Sequence, residues 1–208
     1  KSTVPVGTSR EIERRVAALR PDLEFAVCSN PEFLREGSAI QDFTHPDRVL
    51  VGTDSDKARE VLDRLYAPLN LRGSPVIFVT RESAELAKYA ANAFLALKIS
   101  FINEIADLCE QVGADVQQVA GAIGKDRRIG DKSLHPGPGY GGSCFPKDVS
   151  ALIRTGREYR APLSIIEQVE RVNHERKIAM TSRIEQAVGG SARGKTIAIL
   201  GVTFKPNT

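Results

Sequence analysis

Apolar and polar positions follow two rhythms along this chain. Up to Thr80, short apolar runs of strand length alternate with stretches whose apolar residues recur every three or four positions. A strand is expected to end at Val4. Ile12, Val16 and Leu19 then mark one face of a helix capped by Thr8. Further strands are expected over 24–29, 49–52 and 76–80. Between the last two, Ser55 opens a helix that carries Ala58, Val61, Leu62 and Leu65. Strand–helix alternation predicts a parallel α/β sheet. In such sheets ligands lie at the carboxyl ends of strands, which singles out the loops after Val4 and Ser29.

From Glu82 to Val112 the rhythm changes. No proline or glycine interrupts this stretch, and Leu86, Ala90, Phe94, Leu97, Phe101, Ile102, Ile105 and Leu108 spread apolar surface almost all round. The pattern predicts one long helix, buried on all sides, bridging domains and packing on another subunit. Gly113 ends it, and a short helix over 116–123 follows. A later helix carries Val149, Leu152 and Ile153, and Ser164 caps another that runs through about Val188. Gly189, Gly190, Ser191 and Gly194 form a linker, and Thr196 to Leu200 is expected to be a new strand. The chain begins without methionine and stops just as this unit opens, as expected of the middle section of a longer protein.

Composition narrows the function classes. Hydrophobic residues make up 41% of the 208, enough for a sizeable core. The net charge of +3, spread along the chain, leaves no footprint for nucleic acid. Cys28, Cys109 and Cys144 are odd in number and irregular in spacing, so they form no disulfide framework. Cys28 and Cys109 lie in apolar runs and read as core. His45, His135 and His174 are far apart, with no metal-ligand spacing. No apolar stretch is long enough to span a membrane.

Candidate chemistry concentrates in Gly141-Gly142-Ser143-Cys144-Phe145-Pro146-Lys147-Asp148. Pro146 suits the first helical position, where its missing N–H costs nothing. Cys144 would then lie just outside a helix N-terminus, where free N–H groups and the dipole favour a thiolate nucleophile. Lys147 adds positive charge, and Asp148 can position a water or a proton. The bland reading is a small buried cysteine beside a turn. Lys88 and Asn92 lie four apart on the long helix, as an active-site lysine and its neighbour would, or as a lysine that snorkels to solvent. In the loop Asn30 to Gly37, Glu32 and Glu36 are four apart. A helical turn there would aim both carboxylates at one cleft; the alternative is a polar capping loop. Arg127 and Arg128 suit phosphate binding, or form a solvated charge pair. Gly137, Gly139 and Gly142 match GxGxxG in form only. No strand precedes them and Pro138 breaks the required turn, so the stretch reads as a pliable ligand wall instead.

Six segments in order, KSTVPVGT, NPEFLREG, ELAKYAAN, DRRIG, GPGYGGSCFPKD and TFKPNT, resemble the UDP-glucose/GDP-mannose dehydrogenase family. The form GGSCFPKD looks most like members acting on UDP-glucose; members acting on GDP-mannose tend to carry leucine in place of Phe145. The resemblance implies an α/β fold: a Rossmann-like parallel sheet portion, then an all-helical central dimerisation domain with a long connecting helix. Residues 1–81 would be the later part of an NAD-binding domain, 82–190 the central domain, and 191–208 the start of a nucleotide-sugar-binding domain.

The implied activity is NAD-dependent, cytoplasmic, and performed by a homodimer. A sugar primary alcohol becomes a carboxylate through a cysteine-bound thiohemiacetal and thioester, with two NAD and one water consumed. Cys144 matches the nucleophile and Lys88, beside Asn92, the lysine of proton transfer and oxyanion stabilisation. Asp148 matches the aspartate near the catalytic water, which Thr3 and Glu32 help to handle. Substrate contacts would come from Phe33, Leu34, Arg35, Glu36, Arg128 of the other subunit, the wall Pro136, Gly137, Gly139, Tyr140 and Gly141, and Phe204 and Lys205. Cofactor contacts would come from Ser2, Thr3, Glu36, Cys144 and Lys147. The family's amino-terminal GxGxxG unit is absent, so this stretch alone is expected to bind NAD poorly and to be inactive. The competing expectations are another nucleotide sugar, such as GDP-mannose, or a non-catalytic helical dimerisation module.

Overall fold

The computed structural model describes residues 1–71 and 73–201. Contacts divide them into two compact units, one from Lys1 to Ala90 and one from Ala91 onward. The first unit contains helix α1 (Thr8–Leu19), the short α2 (Ala39–Thr44), strand β1 (Val49–Gly52), helix α3 (Asp56–Asn70), strand β2 (Val76–Val79) and the first turns of α4 (Arg81–Val112). β1 and β2 are parallel, with Val49 opposite Val76 and Gly52 opposite Val79, and α3 makes the crossover. Val49, Val51 and Tyr66 form the core, packed by Leu62, Leu69, Val76 and Phe78. Ser55 caps α3 as the sequence predicts, its hydroxyl accepting from the Ala58 N–H.

The sheet is smaller than the alternation predicts. The segment ending at Val4 forms no ladder, and the 24–29 run contributes a single antiparallel bridge, Ser29 to Gly52. A strand exists only as a hydrogen-bonded pair, and among the described residues these runs find no neighbour. The bridge nonetheless fixes the start of the loop after Ser29 beside the carboxyl end of β1. Gly52 also lets the start of α4 approach β1, because a Cβ there would meet the Arg81 Cα at 2.7 Å. Thr8 is not the cap of α1. Gly7 takes that place at φ 92°, and the Thr8 hydroxyl donates to the Pro5 carbonyl at 2.6 Å.

The second unit holds the rest of α4 with α5 (Val116–Gly124), α6 (Phe145–Glu158) and α7 (Ser164–Ala187). Ile102, Ala120 and Leu134 centre its core. α4 is as long and unbroken as its sequence predicts, but it is not covered all round. Phe94, Phe101 and Leu108 are 61%, 46% and 56% exposed and recur every seven residues along one side. The described residues leave that side of the helix uncovered. Ser164 is the first residue of α7, preceded by Leu163 with no side-chain cap. Thr196 to Leu200 forms no strand among the described residues. Among those residues no helix is long and apolar enough to cross a membrane.

Candidate active site

The first unit gathers the amino-terminal strap, the loop after Ser29 and one turn of α4. Lys88 is buried, with its Nζ 3.6 Å from Glu32 Oε1 and 5.1 Å from the Phe33 ring centre. A second cation on that ring is Arg48, 3.9 Å from the centroid. Glu32 Oε1 also accepts from the Thr3 hydroxyl at 3.5 Å, and Oε2 accepts from the Leu34 N–H at 2.6 Å. Thr3, Glu32 and Lys88 are thus brought together. Lys1 lies beside them, and burial pulls its ammonium below the usual lysine range against the opposing pull of Glu32. The loop starts from buried Asn30, whose amide donates to the Leu50 carbonyl at 2.6 Å while its oxygen accepts from the Tyr66 hydroxyl at 2.5 Å.

In the second unit Cys144 is exposed and immediately precedes α6. Helix formation begins at Phe145, one residue earlier than predicted, so Pro146 is the second helical residue; its missing N–H is still one that the helix leaves unpaired. The Cys144 Sγ lies 3.6 Å from the Ser143 hydroxyl. One turn on, Asp148 is 1% exposed. Its Oδ2 accepts from the Asn92 amide at 2.6 Å, and its Oδ1 forms an ion pair with Lys147 Nζ at 2.8 Å. An exposed nucleophile beside a buried, oriented carboxylate can attack a carbonyl carbon and then direct a water to it.

Other predicted residues have the following surroundings. No helical turn spans Glu32 and Glu36, and Glu36 is exposed. Ser2 is exposed on the strap. Arg35 is committed to Asp42, which accepts from its backbone N–H at 2.7 Å and from its guanidinium at 2.6 Å. Arg128 is exposed and pairs with Asp126. Phe204 and Lys205, in TFKPNT, lie outside the described residues.

Residues that the sequence reading missed hold these segments in place. Buried Glu85, one turn before Lys88, accepts from the Gly7 N–H at 2.7 Å, the Ser9 N–H at 2.9 Å and the Ser9 hydroxyl, fixing the strap to α4. Its acidic side chain on an otherwise buried stripe was the available signal. Asn103 Oδ1 accepts from the Gly137 N–H at 2.8 Å. From α7, Arg176 Nε donates to the Gly137 carbonyl at 2.5 Å and Asn173 bonds Tyr140. The glycine wall therefore spends four backbone groups inside its own unit.

Tyr140 is buried and packs edge-on against Phe145 at 6.1 Å. Burial, aided by Glu170, pushes its phenol up to about 12. A phenol harder to ionise in the folded than in the unfolded chain stabilises fully below the ordinary tyrosine value of about 10, and that stability is lost as pH rises toward 12. Urea unfolding across pH 9 to 12 should therefore show a decline that Tyr140→Phe reduces, by about 2 kcal/mol at the alkaline end. Equal slopes for the two proteins would refute the assignment.

Comparison with known proteins identifies the family. The model for the NAD binding domain of the UDP-glucose/GDP-mannose dehydrogenase family matches residues 1–70, and that for its central domain matches residues 82–175. The chain is 57% identical to UDP-glucose 6-dehydrogenase of Rhizobium meliloti (strain 1021) over its full length, covering 48% of that protein. A UDP-glucose dehydrogenase from the archaeon Pyrobaculum islandicum superposes with a TM-score of 0.86 at 43% identity, over 91% of this chain and 44% of that one. UDP-D-ManNAc dehydrogenase from Pyrococcus horikoshii gives 0.78 at 25% identity, over 90% and 44%. The chain thus spans about half the length of the relatives it matches. With its strap, its buried lysine and its cysteine at the head of α6, the chain belongs to the UDP-glucose/GDP-mannose dehydrogenase family.

Proposed function

We propose that the complete protein oxidises the primary alcohol of UDP-glucose to a carboxylate, with NAD as hydride acceptor and Cys144 as covalent nucleophile. The observation that carries this reading is exposed Cys144 one helical turn from buried Asp148, itself tied to Asn92 on α4. Lys88, with Glu32 and Thr3 beside it, takes the alcohol proton and steadies the oxyanion. The Cys144 sulfur adds to the aldehyde carbon to give a thiohemiacetal, whose oxidation leaves a thioester. Water then attacks the thioester carbon, the C–S bond breaks, and the thiol is restored. Asp148, Glu32 and Thr3 orient that water and receive its proton.

The nicotinamide cofactor, when bound, accepts a hydride in each oxidation. The donor set suits it. The hydroxyls of Ser2 and Thr3 and the Glu36 carboxylate match ribose and carboxamide partners, while Lys147 and Cys144 border the reacting end. For the sugar nucleotide, the reading assigns Phe33, Leu34, Arg35, Glu36, the wall Pro136 to Gly141, Lys205 with Phe204, and Arg128 of a second copy. Three free cysteines are consistent with a cytoplasmic, reducing setting.

In the complete protein, two NADH should form per UDP-glucose, and Cys144→Ser should block formation of the acid. Full uronate turnover by Cys144→Ala would sink the covalent mechanism. The similarity to a UDP-D-ManNAc dehydrogenase favours another nucleotide sugar as the second reading. A higher kcat/KM for UDP-D-ManNAc or GDP-mannose than for UDP-glucose would replace the first. No NADH from any of the three sugars would leave the helical dimerisation module.

A second copy of the chain is proposed to cover Phe94, Phe101 and Leu108. Beside them, Phe101 and Leu97 of α4 meet Ile165 and Val169 of α7 in an apolar groove of about 440 Å³. Phe101→Asp should halve the mass of the complete protein in sedimentation, or reduce it to the monomer. An unchanged mass would remove this face from the interface.

A further inference from the structure

Asn173 lies on α7, far in sequence from every residue assigned above, and is 5% exposed. Its side-chain oxygen accepts from the Tyr140 N–H at 2.7 Å, and its amide donates to the Tyr140 carbonyl at 3.1 Å. One side chain thus pairs both backbone groups of one residue, as a neighbouring strand would. Gly139, just before, sits at φ +122°, and a Cβ on it would stand 2.8 Å from the Asn173 oxygen. The wall is shaped around this amide: only glycine leaves room for the oxygen to reach Tyr140. Two residues earlier, Asn103 and Arg176 hold the N–H and the carbonyl of Gly137. Arg176 is held in turn by both oxygens of Asp107 at 2.8 Å.

The held residue leads to the nucleophile. The Tyr140 ring packs edge-on against Phe145, the residue next to Cys144. The stretch between them is short and glycine-rich, with Gly142 at φ 79°, so it carries little stiffness of its own. Its ends are α6 on one side and the Asn173–Tyr140 pair on the other, and both are held.

We propose that Asn173 is a positioning residue, holding the Tyr140 backbone so that the wall and the Cys144 turn keep the shape that receives the sugar nucleotide. The proposal rests on the function given above for Cys144 and its wall. It requires both halves of the amide, the acceptor for the N–H and the donor for the carbonyl. An aspartate keeps the acceptor but turns a second oxygen onto the Tyr140 carbonyl; protonation of that aspartate restores the donor. The charged groups around the pair are Arg176, Lys177, whose Nζ is 5.8 Å from the Tyr140 ring centre, and Glu170, which acts on the same phenol.

The test compares the complete protein with its Asn173→Ala and Asn173→Asp variants. In Asn173→Ala, Tyr140 N–H exchange should accelerate while α6 core amides such as Val149 keep their protection. KM for UDP-glucose should rise about tenfold or more, with a smaller effect on kcat. In Asn173→Asp, KM should be high at pH 8 and fall toward the parent value by pH 5.5, a recovery that Asn173→Ala lacks. Parent-like Tyr140 exchange in both variants would overturn the proposal, as would identical pH profiles for the two, which would mean that the side chain only fills space. Should Asn173→Ala not fold, the pH recovery of Asn173→Asp decides alone. If the parent protein does not oxidise UDP-glucose, the proposed function fails; the exchange measurement still decides whether Asn173 holds the wall.

Discussion

A polar side chain buried on a helix must be paired, and α4 carries four that organise the candidate site. Glu85, Lys88, Asn92 and Asn103 are each 6% exposed or less. Left unpaired, such groups would cost on the order of 1–3 kcal/mol each, and more where charged. Each gives at least one polar atom to a segment that brings chemistry with it. Glu85 takes the amides at the start of α1, Lys88 meets Glu32, Asn92 holds Asp148, and Asn103 holds Gly137. The first two pairings lie within the first unit and the last two within the second. In each unit the loops have little regular structure of their own, and α4 gives them an address.

This arrangement separates rigid helpers from an open nucleophile. Asp148 and Lys88 are buried and fixed by partners, whereas Cys144 is exposed at the head of α6. In the proposed reaction the sulfur must reach a carbon of a bound sugar, so access matters there. The carboxylate and the lysine act through orientation, so burial suits them. The same division explains the glycine wall. Asn103, Arg176 and Asn173 hold its backbone from behind, and its shape is written in α4 and α7 instead of in the loop.

Much of this was legible in the sequence because helices announce themselves locally. The uninterrupted 82–112 stretch, the Ser55 cap and the cysteine ahead of Pro146 each depend on neighbours within a turn or two, and each lies where expected to within a residue. Strands were harder. The runs ending at Val4 and over 24–29 and 196–200 have strand-like composition, but a ladder needs a partner that composition does not reveal. Between a helical turn and a capping loop over Glu32 to Glu36 the sequence left the choice open; no helical turn forms, and distant Leu50 and Tyr66 hold the start of the loop at Asn30. Glu85, Asn173 and Arg176 escaped notice because polar residues on a helix usually face water. Only the tertiary structure shows which loop each one meets.

The claim that buried polar groups on α4 hold the site segments is tested most directly by hydrogen exchange on the complete protein carrying Glu85→Gln. The glutamine keeps the shape but presents an amide to donors that now face a carboxylate. The account predicts that the Gly7 and Ser9 amides exchange at least about tenfold faster, while amides of the β1–β2 ladder, such as Val51, keep their protection. Unchanged protection at Gly7 and Ser9 would contradict it, since the strap would then hold its place without α4.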